Sequence, residues 1–169
     1  MALQLFKIAS TTVETPQGSI DFSSIPSGYT DLKVVISSRA AITGYSWVFG
    51  GIRFNSDTNT YSGKSLFGDG STTYSSSYST NFGYAIESTA ANATANTFGS
   101  AEIYIPNYTS SNKKSFSSDQ VSETNATGAE SALSAGLWSQ TSAITSITLY
   151  PGGGSYFTAN TTATLYGVL

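Results

Sequence analysis

The sequence predicts an all-β protein, an antiparallel two-sheet sandwich of the jelly-roll-like kind. Short runs in which apolar and polar residues alternate recur along the chain, and turn residues separate them roughly every ten to fifteen positions. No window has convincing helical spacing. Hydrophobic residues make up 39% of the 169 residues and aromatic residues 13%, which is enough apolar material for one substantial core.

Strands are predicted, in chain order, from apolar residues that share a parity. The residues are Leu3 and Leu5 in a strand that reaches about Ile8; Ile20 and Phe22; Leu32, Val34 and Ile36; Trp47 to Phe49, then Ile52 and Phe54; Ala101, Ile103 and Ile105; Ile147 and Leu149; and Ala163, Leu165 and Gly167. A weaker signal covers 116–121. Gly50 and Gly51 interrupt the fourth run, and they predict a bulge or tight bend there.

Two further segments lack this alternation. Residues 68–81 consist almost entirely of Gly, Ser, Thr and Tyr, and we interpret them as a surface loop whose hydroxyl groups bond to their own backbone or to water. Residues 126–136 are alanine-rich, so one short helical turn is the alternative to no helix at all. The remaining runs predict eight to ten strands in a single domain spanning 1–169, and eight strands suffice for a jelly roll.

The composition excludes several classes of function. The chain has no His and no Cys, so it lacks an imidazole base, a thiol nucleophile and the usual zinc ligands. Charged residues are only 10% of the chain, and its 30 serines and 23 threonines take their place. Seven Lys and Arg residues and a net charge of −3 argue against nucleic-acid binding. No apolar run of about 18 residues occurs, so we expect no membrane insertion.

No motif assigns a catalytic residue, a metal ligand or a cofactor. None of the ten acidic residues forms a pair set in an apolar run, as a glycosidase would require. The segment 57–59 begins like a calcium-binding loop, but Ser62 and Gly68 stand where its glycine and its last glutamate should be. We therefore expect a protein that is not an enzyme and that carries no metal or cofactor.

Tyrosines in and beside residues 68–81 are candidate contacts for a partner or receptor. Tyrosine supplies a large contact area at low rotamer cost, and serine supplies adaptable hydrogen bonds. Tyr74 and Tyr78 are the expected anchors, with Tyr61 and Tyr84 on either side, and a host surface glycan would suit such a surface. In the alternative interpretation, the same tyrosines simply pack on the sheet beneath a plain loop.

The apolar N-terminal residues Leu3, Leu5 and Phe6 have two interpretations. They form either the first strand of a sheet or an arm that docks on a neighbouring subunit, and we favour the first strand. Residues 1–7 do not have the basic start and apolar core of a secretory signal. Release by lysis of a host cell would reconcile the missing signal with a surface that resembles those of extracellular proteins.

Nearly the whole chain resembles small β-rich virion structural proteins of tailed bacteriophages, of a type frequent in phages of aquatic bacteria, cyanobacteria among them. The segments that carry the resemblance are 8–13, 20–26, 29–32, 52–55, 101–108, 136–139, 144–149 and 163–167. Such domains occur as free-standing virion proteins and also at the ends of tail fibres. The resemblance implies a location on the virion exterior and transfers no catalytic residue.

Two functions follow as expectations. In the first, the protein is a capsid decoration or cement protein that binds the major capsid protein or other virion proteins, with a homotrimer as the expected assembly. In the second, it is a receptor-binding module of a tail fibre or tail tip. The fold class alone favours neither function.

Overall fold

The computed structural model describes residues 4–125 and 128–169, and within these ranges it has twelve β-strands and no helix. The strands are β1 (Leu5–Thr12), β2 (Ile20–Phe22), β3 (Asp31–Ser38), β4 (Trp47–Phe54), β5 (Tyr61–Gly68), β6 (Thr73–Thr80), β7 (Gly83–Thr89), β8 (Gly99–Ile105), β9 (Lys114–Ser122), β10 (Glu130–Trp138), β11 (Ile147–Tyr150) and β12 (Thr162–Val168). The described residues therefore contain no helix that could span a membrane.

The strands form two antiparallel sheets of unequal width. The larger sheet has eight strands in the order β1-β12-β3-β8-β9-β10-β5-β6, and the smaller has four in the order β2-β11-β4-β7. The predicted all-β, two-sheet sandwich is confirmed. In each sheet one face points toward the other sheet, and we call it the inner face.

The strand order is that of a jelly roll with two additional strand pairs. Without β5, β6, β9 and β10, eight strands remain, and numbered along the chain they pair in the orders 1-8-3-6 and 2-7-4-5, the two four-stranded sheets of a jelly roll. The pairs β5–β6 and β9–β10 are added at the β8 edge, where they widen only the larger sheet. We call these four strands the extension.

Alternation of apolar residues correctly predicted most of the jelly-roll strands. The bulge predicted at Gly50 and Gly51 is confirmed, because the pairing of β4 with β7 shifts register between these two residues. Side chains have no room there, since a Cβ on Gly50 would overlap the Tyr150 carbonyl oxygen and one on Gly51 would overlap the Phe82 ring.

Two predictions from local composition were wrong. Residues 68–81 do not form a loop, because 73–80 are strand β6 and only a short turn separates it from β5. Residues 130–136 belong to strand β10, whose alternate side chains are buried, while 126 and 127 lie outside the described residues. Both strands are rich in small or hydroxyl-bearing residues, so neither has an apolar stripe that would reveal its period.

An aromatic cluster joins the extension to the smaller sheet. The Phe54 ring lies edge-on to Phe116 at 5.8 Å and to Trp138 at 5.6 Å between centroids. The Phe116 ring occupies a slot between Gly83 of β7 and Gly136 of β10, and a Cβ on either glycine would overlap it. These glycines therefore let β7 approach the extension closely.

We expect Gly136→Ala to lower the free energy of unfolding by about 1–3 kcal/mol, because the added methyl group would displace the Phe116 ring from its slot. Urea unfolding measures this change. Gly28→Ala is the matched control, since nothing lies within 4 Å of a Cβ there, and we expect a change of less than about 0.5 kcal/mol. Equal effects of the two substitutions would contradict the close contact at Phe116.

Candidate functional site

The extra width of the larger sheet creates a cleft at the edge of the smaller one. Inner-face aromatic residues of β5 and β6 meet aromatic residues of β4 and β7 across it. Phe67 lies edge-on to Phe49 at 5.6 Å between ring centroids, and Tyr78 lies edge-on to Tyr84 at 4.7 Å. Since no strand of the smaller sheet lies beyond β7, this part of the inner face is only half buried.

Seven aromatic side chains form a connected series along this edge, which we call the aromatic cleft. Within the series, Phe67 stacks on Tyr74 at 5.4 Å, and Phe82 and Trp47 extend it from Tyr84 and Phe49 at 5.0 Å each. The residues of the aromatic cleft are Trp47, Phe49, Phe67, Tyr74, Tyr78, Phe82 and Tyr84. None of them belongs to the fully buried hydrophobic core.

Two cavities share the Phe49 and Tyr84 side chains. The first has a volume of about 260 Å³, and its other lining residues are Phe67 and Tyr78 together with the serines at 65, 76 and 77. The second, of about 670 Å³, extends past Trp47 and Phe82. Neither has a charged lining residue. Flat apolar rings with a few hydroxyl groups suit a neutral ligand that has both C–H faces and hydroxyl groups, as a sugar has.

Three of the four predicted contact tyrosines lie in the aromatic cleft. Tyr74 is the most accessible, with 44% of its surface exposed, while Tyr78 and Tyr84 are half-buried. Tyr74 and Tyr78 share a face because they lie four residues apart on strand β6. Tyrosine and serine composition therefore indicated the right strand, although the strand was expected to be a loop.

Tyr61 does not belong with these tyrosines, and the contact role predicted for it was wrong. Its side chain is 2% exposed and packs against Phe54 in the core. Its hydroxyl oxygen accepts a hydrogen bond from the Phe54 N–H at 2.7 Å. Burial raises the pKa of the Tyr61 phenol. This tyrosine holds β4 against β5 and is inaccessible to any partner.

The Tyr78 hydroxyl, in contrast, is buried without a hydrogen-bond partner. Its ring lies over Gly63 on the neighbouring strand, where a Cβ would overlap it. Burial raises the pKa of Tyr78 to about 12. A polar atom without a partner at the wall of a cavity is available to a ligand, because a hydrogen bond gained there has no competing internal bond.

Four members of the aromatic cleft were missed from the sequence: Trp47, Phe49, Phe67 and Phe82. Trp47 and Phe49 were recognised as strand residues only. Phe67 directly opposes Tyr74 in the β5–β6 ladder, so recognising 61–80 as a hairpin would have placed it on the same face.

The proposed docking arm lies at the opposite edge of the larger sheet. Leu5 and Phe6 belong to strand β1, which pairs with β12, and Leu3 lies outside the described residues. The Phe6 ring packs on Tyr29 at 5.9 Å, yet 39% of Phe6 and 48% of Leu5 remain exposed. These two residues form part of the sheet and also present apolar surface at its edge.

A second apolar surface lies on the outer face of the extension. Leu66 and Leu133 directly oppose each other in the β5–β10 ladder, with 51% and 58% of their surfaces exposed. Val121, which opposes Ser131 on the next strand, is 39% exposed. We call Leu66, Val121 and Leu133 the outer patch. Serines surround it, and the charged residues nearest along its ladders are Lys64 and Asp119.

The segment that begins like a calcium loop has a structural role. Asp57 accepts hydrogen bonds from the Asn59 N–H at 2.9 Å, the Thr60 hydroxyl at 2.7 Å and the Trp138 indole at 2.9 Å. Although partial burial acts to raise its pKa, these bonds lower it below the ordinary value. The carboxylate thus closes the turn after β4 and ties it to β10.

Comparison with protein-family models, curated proteins and solved structures finds no match to this chain. Any functional conclusion therefore depends on the two surfaces described above and on the sequence resemblance.

We expect Tyr61→Phe and Tyr78→Phe to differ in stability. The first removes a buried hydrogen bond to the Phe54 N–H and should cost about 1–3 kcal/mol in urea unfolding. The second removes a buried hydroxyl that has no partner, so it should be neutral or stabilising. A comparable loss of stability in Tyr78→Phe would show that its hydroxyl has an internal structural role.

Proposed function

We propose that this protein is a non-enzymatic structural protein of a tailed-phage virion, a decoration or cement protein on the capsid exterior. The sequence resemblance to small phage virion proteins supports this assignment. The single structural observation that carries it is the outer patch, an apolar surface on a broad, nearly uncharged sheet face.

The outer patch has the chemistry of a protein interface. Burying an exposed leucine contributes about 1.5–3 kcal/mol, and two leucines lie side by side here. The surrounding serine hydroxyls can bond to water or to a partner's backbone, so covering them costs less than covering charged groups would. Depletion of charge around apolar residues is typical of the centre of an interface.

The proposed partner is the major capsid protein or another virion protein. We propose that the protein acts as a homotrimer, as free-standing decoration proteins often do around a local symmetry axis. In this arrangement the outer patch faces the capsid or a neighbouring copy, and the aromatic cleft at the sheet edge remains available to solvent.

The copy number per virion tests this proposal. Quantitative mass spectrometry of purified particles should find hundreds of copies, and about a dozen would instead indicate a tail location.

The role of the outer patch is tested with a double variant, Leu66→Asp with Leu133→Asp. Two charges that must be dehydrated on binding should reduce rebinding of the purified protein to particles lacking it by at least tenfold. Thr162→Asp, an exposed position on β12 of the same sheet face, is the control and should bind like the wild type. Equal binding of all three proteins would exclude the outer patch as the contact surface.

The aromatic cleft favours a second candidate function, a receptor-binding module of a tail fibre or tail tip. A neutral glycan on the host surface fits its rings, its serine hydroxyls and its lack of charge.

For this second function, Tyr74→Ala with Tyr78→Ala should reduce adsorption of otherwise intact particles to host cells by about tenfold or more. The reason is that the double variant removes two of the rings against which a sugar would pack. Tyr166→Ala, on β12 and away from the aromatic cleft, is the control. Unchanged adsorption in the double variant would argue against a receptor role for the cleft.

A further inference from the structure

Four buried polar residues on the facing sides of β7, β9 and β10 have oxygen atoms without hydrogen-bond partners. Glu87 and Ser122 are fully buried, Gln120 is 1% exposed and Glu130 is 6% exposed. Both carboxylate oxygens of Glu87, Oε1 of Gln120, Oγ of Ser122 and Oε1 of Glu130 lack a partner. Five such acceptors are unusual in one small protein, because buried polar atoms are nearly always satisfied.

Strand register brings three of these residues together. Ser122 and Glu130 directly oppose each other in the β9–β10 ladder, and Gln120 lies two residues before Ser122 on the same face. Directly opposed side chains have Cβ atoms about 4.5–5.5 Å apart, and diagonal neighbours about 7–8 Å.

Packing of β7 on β9 adds Glu87 to the group. The Phe116 ring lies against Gly83, and the Ser118 hydroxyl donates to the Ala85 carbonyl at 2.7 Å. Each step of two residues along β9 thus matches a step of two along β7, and the next step places Gln120 beside Glu87. Gly99 of β8 confirms the position, because its Cα lies directly against the Glu87 carbonyl group.

No cation within the described residues compensates the two carboxyl groups. Burial, together with repulsion from Glu130, raises the pKa of Glu87 to about 8, and burial with repulsion from Asp69 raises that of Glu130 to about 7. Lys114, which is also buried, lies at the opposite end of β9 and donates to the backbone carbonyls of residues 112, 141 and 142.

We propose that Glu87, Gln120, Ser122 and Glu130 form a binding site for a divalent cation, and that the cation is calcium. The donors are all oxygens, and Ca²⁺ takes six to eight oxygen ligands at about 2.3–2.6 Å. The five oxygens without partners supply most of such a shell, and Oε2 of Glu130 would supply a sixth. A charge of +2 cancels the two carboxylates in a place where water cannot solvate them.

The chemistry of the site selects calcium over other cations. No group of three or more His, Cys, Asp or Glu side chains in 4–125 and 128–169 could hold a metal, so a transition-metal site is not favoured. Magnesium sheds its water reluctantly and requires near-octahedral geometry, which suits a dry, mixed carboxylate, amide and hydroxyl site poorly.

Bound calcium would tie the edge of the smaller sheet to the extension. Glu87 directly opposes Phe49 in the β4–β7 ladder, so the site lies immediately behind the aromatic cleft. Calcium would then hold Phe49 and its neighbours in place. This inference is independent of the proposed virion role.

The test is thermal unfolding of the purified full chain at pH 8, after treatment with EDTA, with and without added CaCl₂. We expect Tm to rise by about 5–10 °C when free calcium is 100-fold above Kd. Isothermal titration with CaCl₂ should give one ion per chain, and MgCl₂ should shift Tm less.

Matched variants locate the site. Glu87→Gln and Glu130→Gln should each abolish most of the calcium-dependent rise in Tm, and both should fold because they remove a buried charge without changing shape. Glu102→Gln is the control, since Glu102 is a surface acid paired with Lys33 at 2.6 Å, and it should keep the full rise. The proposal is overturned if calcium leaves the wild-type Tm unchanged, if Glu87→Gln keeps the rise, or if magnesium acts equally well.

Discussion

The two sheets of the sandwich differ in width by four strands, and the rest of the structure depends on how the excess inner face is covered. A sheet stabilises a domain only where its apolar face is buried against another layer. Beside β7 the cover is close, because Gly83 and Gly136 admit the Phe116 ring between them. Farther out no strand covers the extension, and its inner face changes from aliphatic to aromatic and hydroxyl-bearing residues.

The added strand pairs create both candidate surfaces at once. Strand β5 contributes Phe67 to the aromatic cleft and Leu66 to the outer patch, because successive residues of a strand point to opposite faces. Removing the extension would leave a complete jelly roll without either surface. The jelly roll therefore serves as a scaffold, and any binding function belongs to the strands added at one edge.

The sequence was informative wherever an apolar stripe alternates with polar residues, as at Leu32, Val34 and Ile36. It was misleading where a strand has no apolar contrast, since β6 is built almost wholly from Ser, Thr and Tyr and thus resembled a loop. Composition alone did locate the tyrosines of the aromatic cleft. Their partner Phe49 and the buried Glu87 could not be found this way, because their environment depends on pairing between distant strands.

Pairing of β1 with β12 has a consequence for the timing of folding. Leu5 pairs with Val168, so the first strand to leave the ribosome has no partner until the last one has been synthesised. Such distant pairings are slow to form, whereas β5 and β6 are neighbours in sequence and can associate early. The hairpin that carries much of the candidate binding surface can thus form during translation. The jelly roll that supports it closes only after the chain has been released.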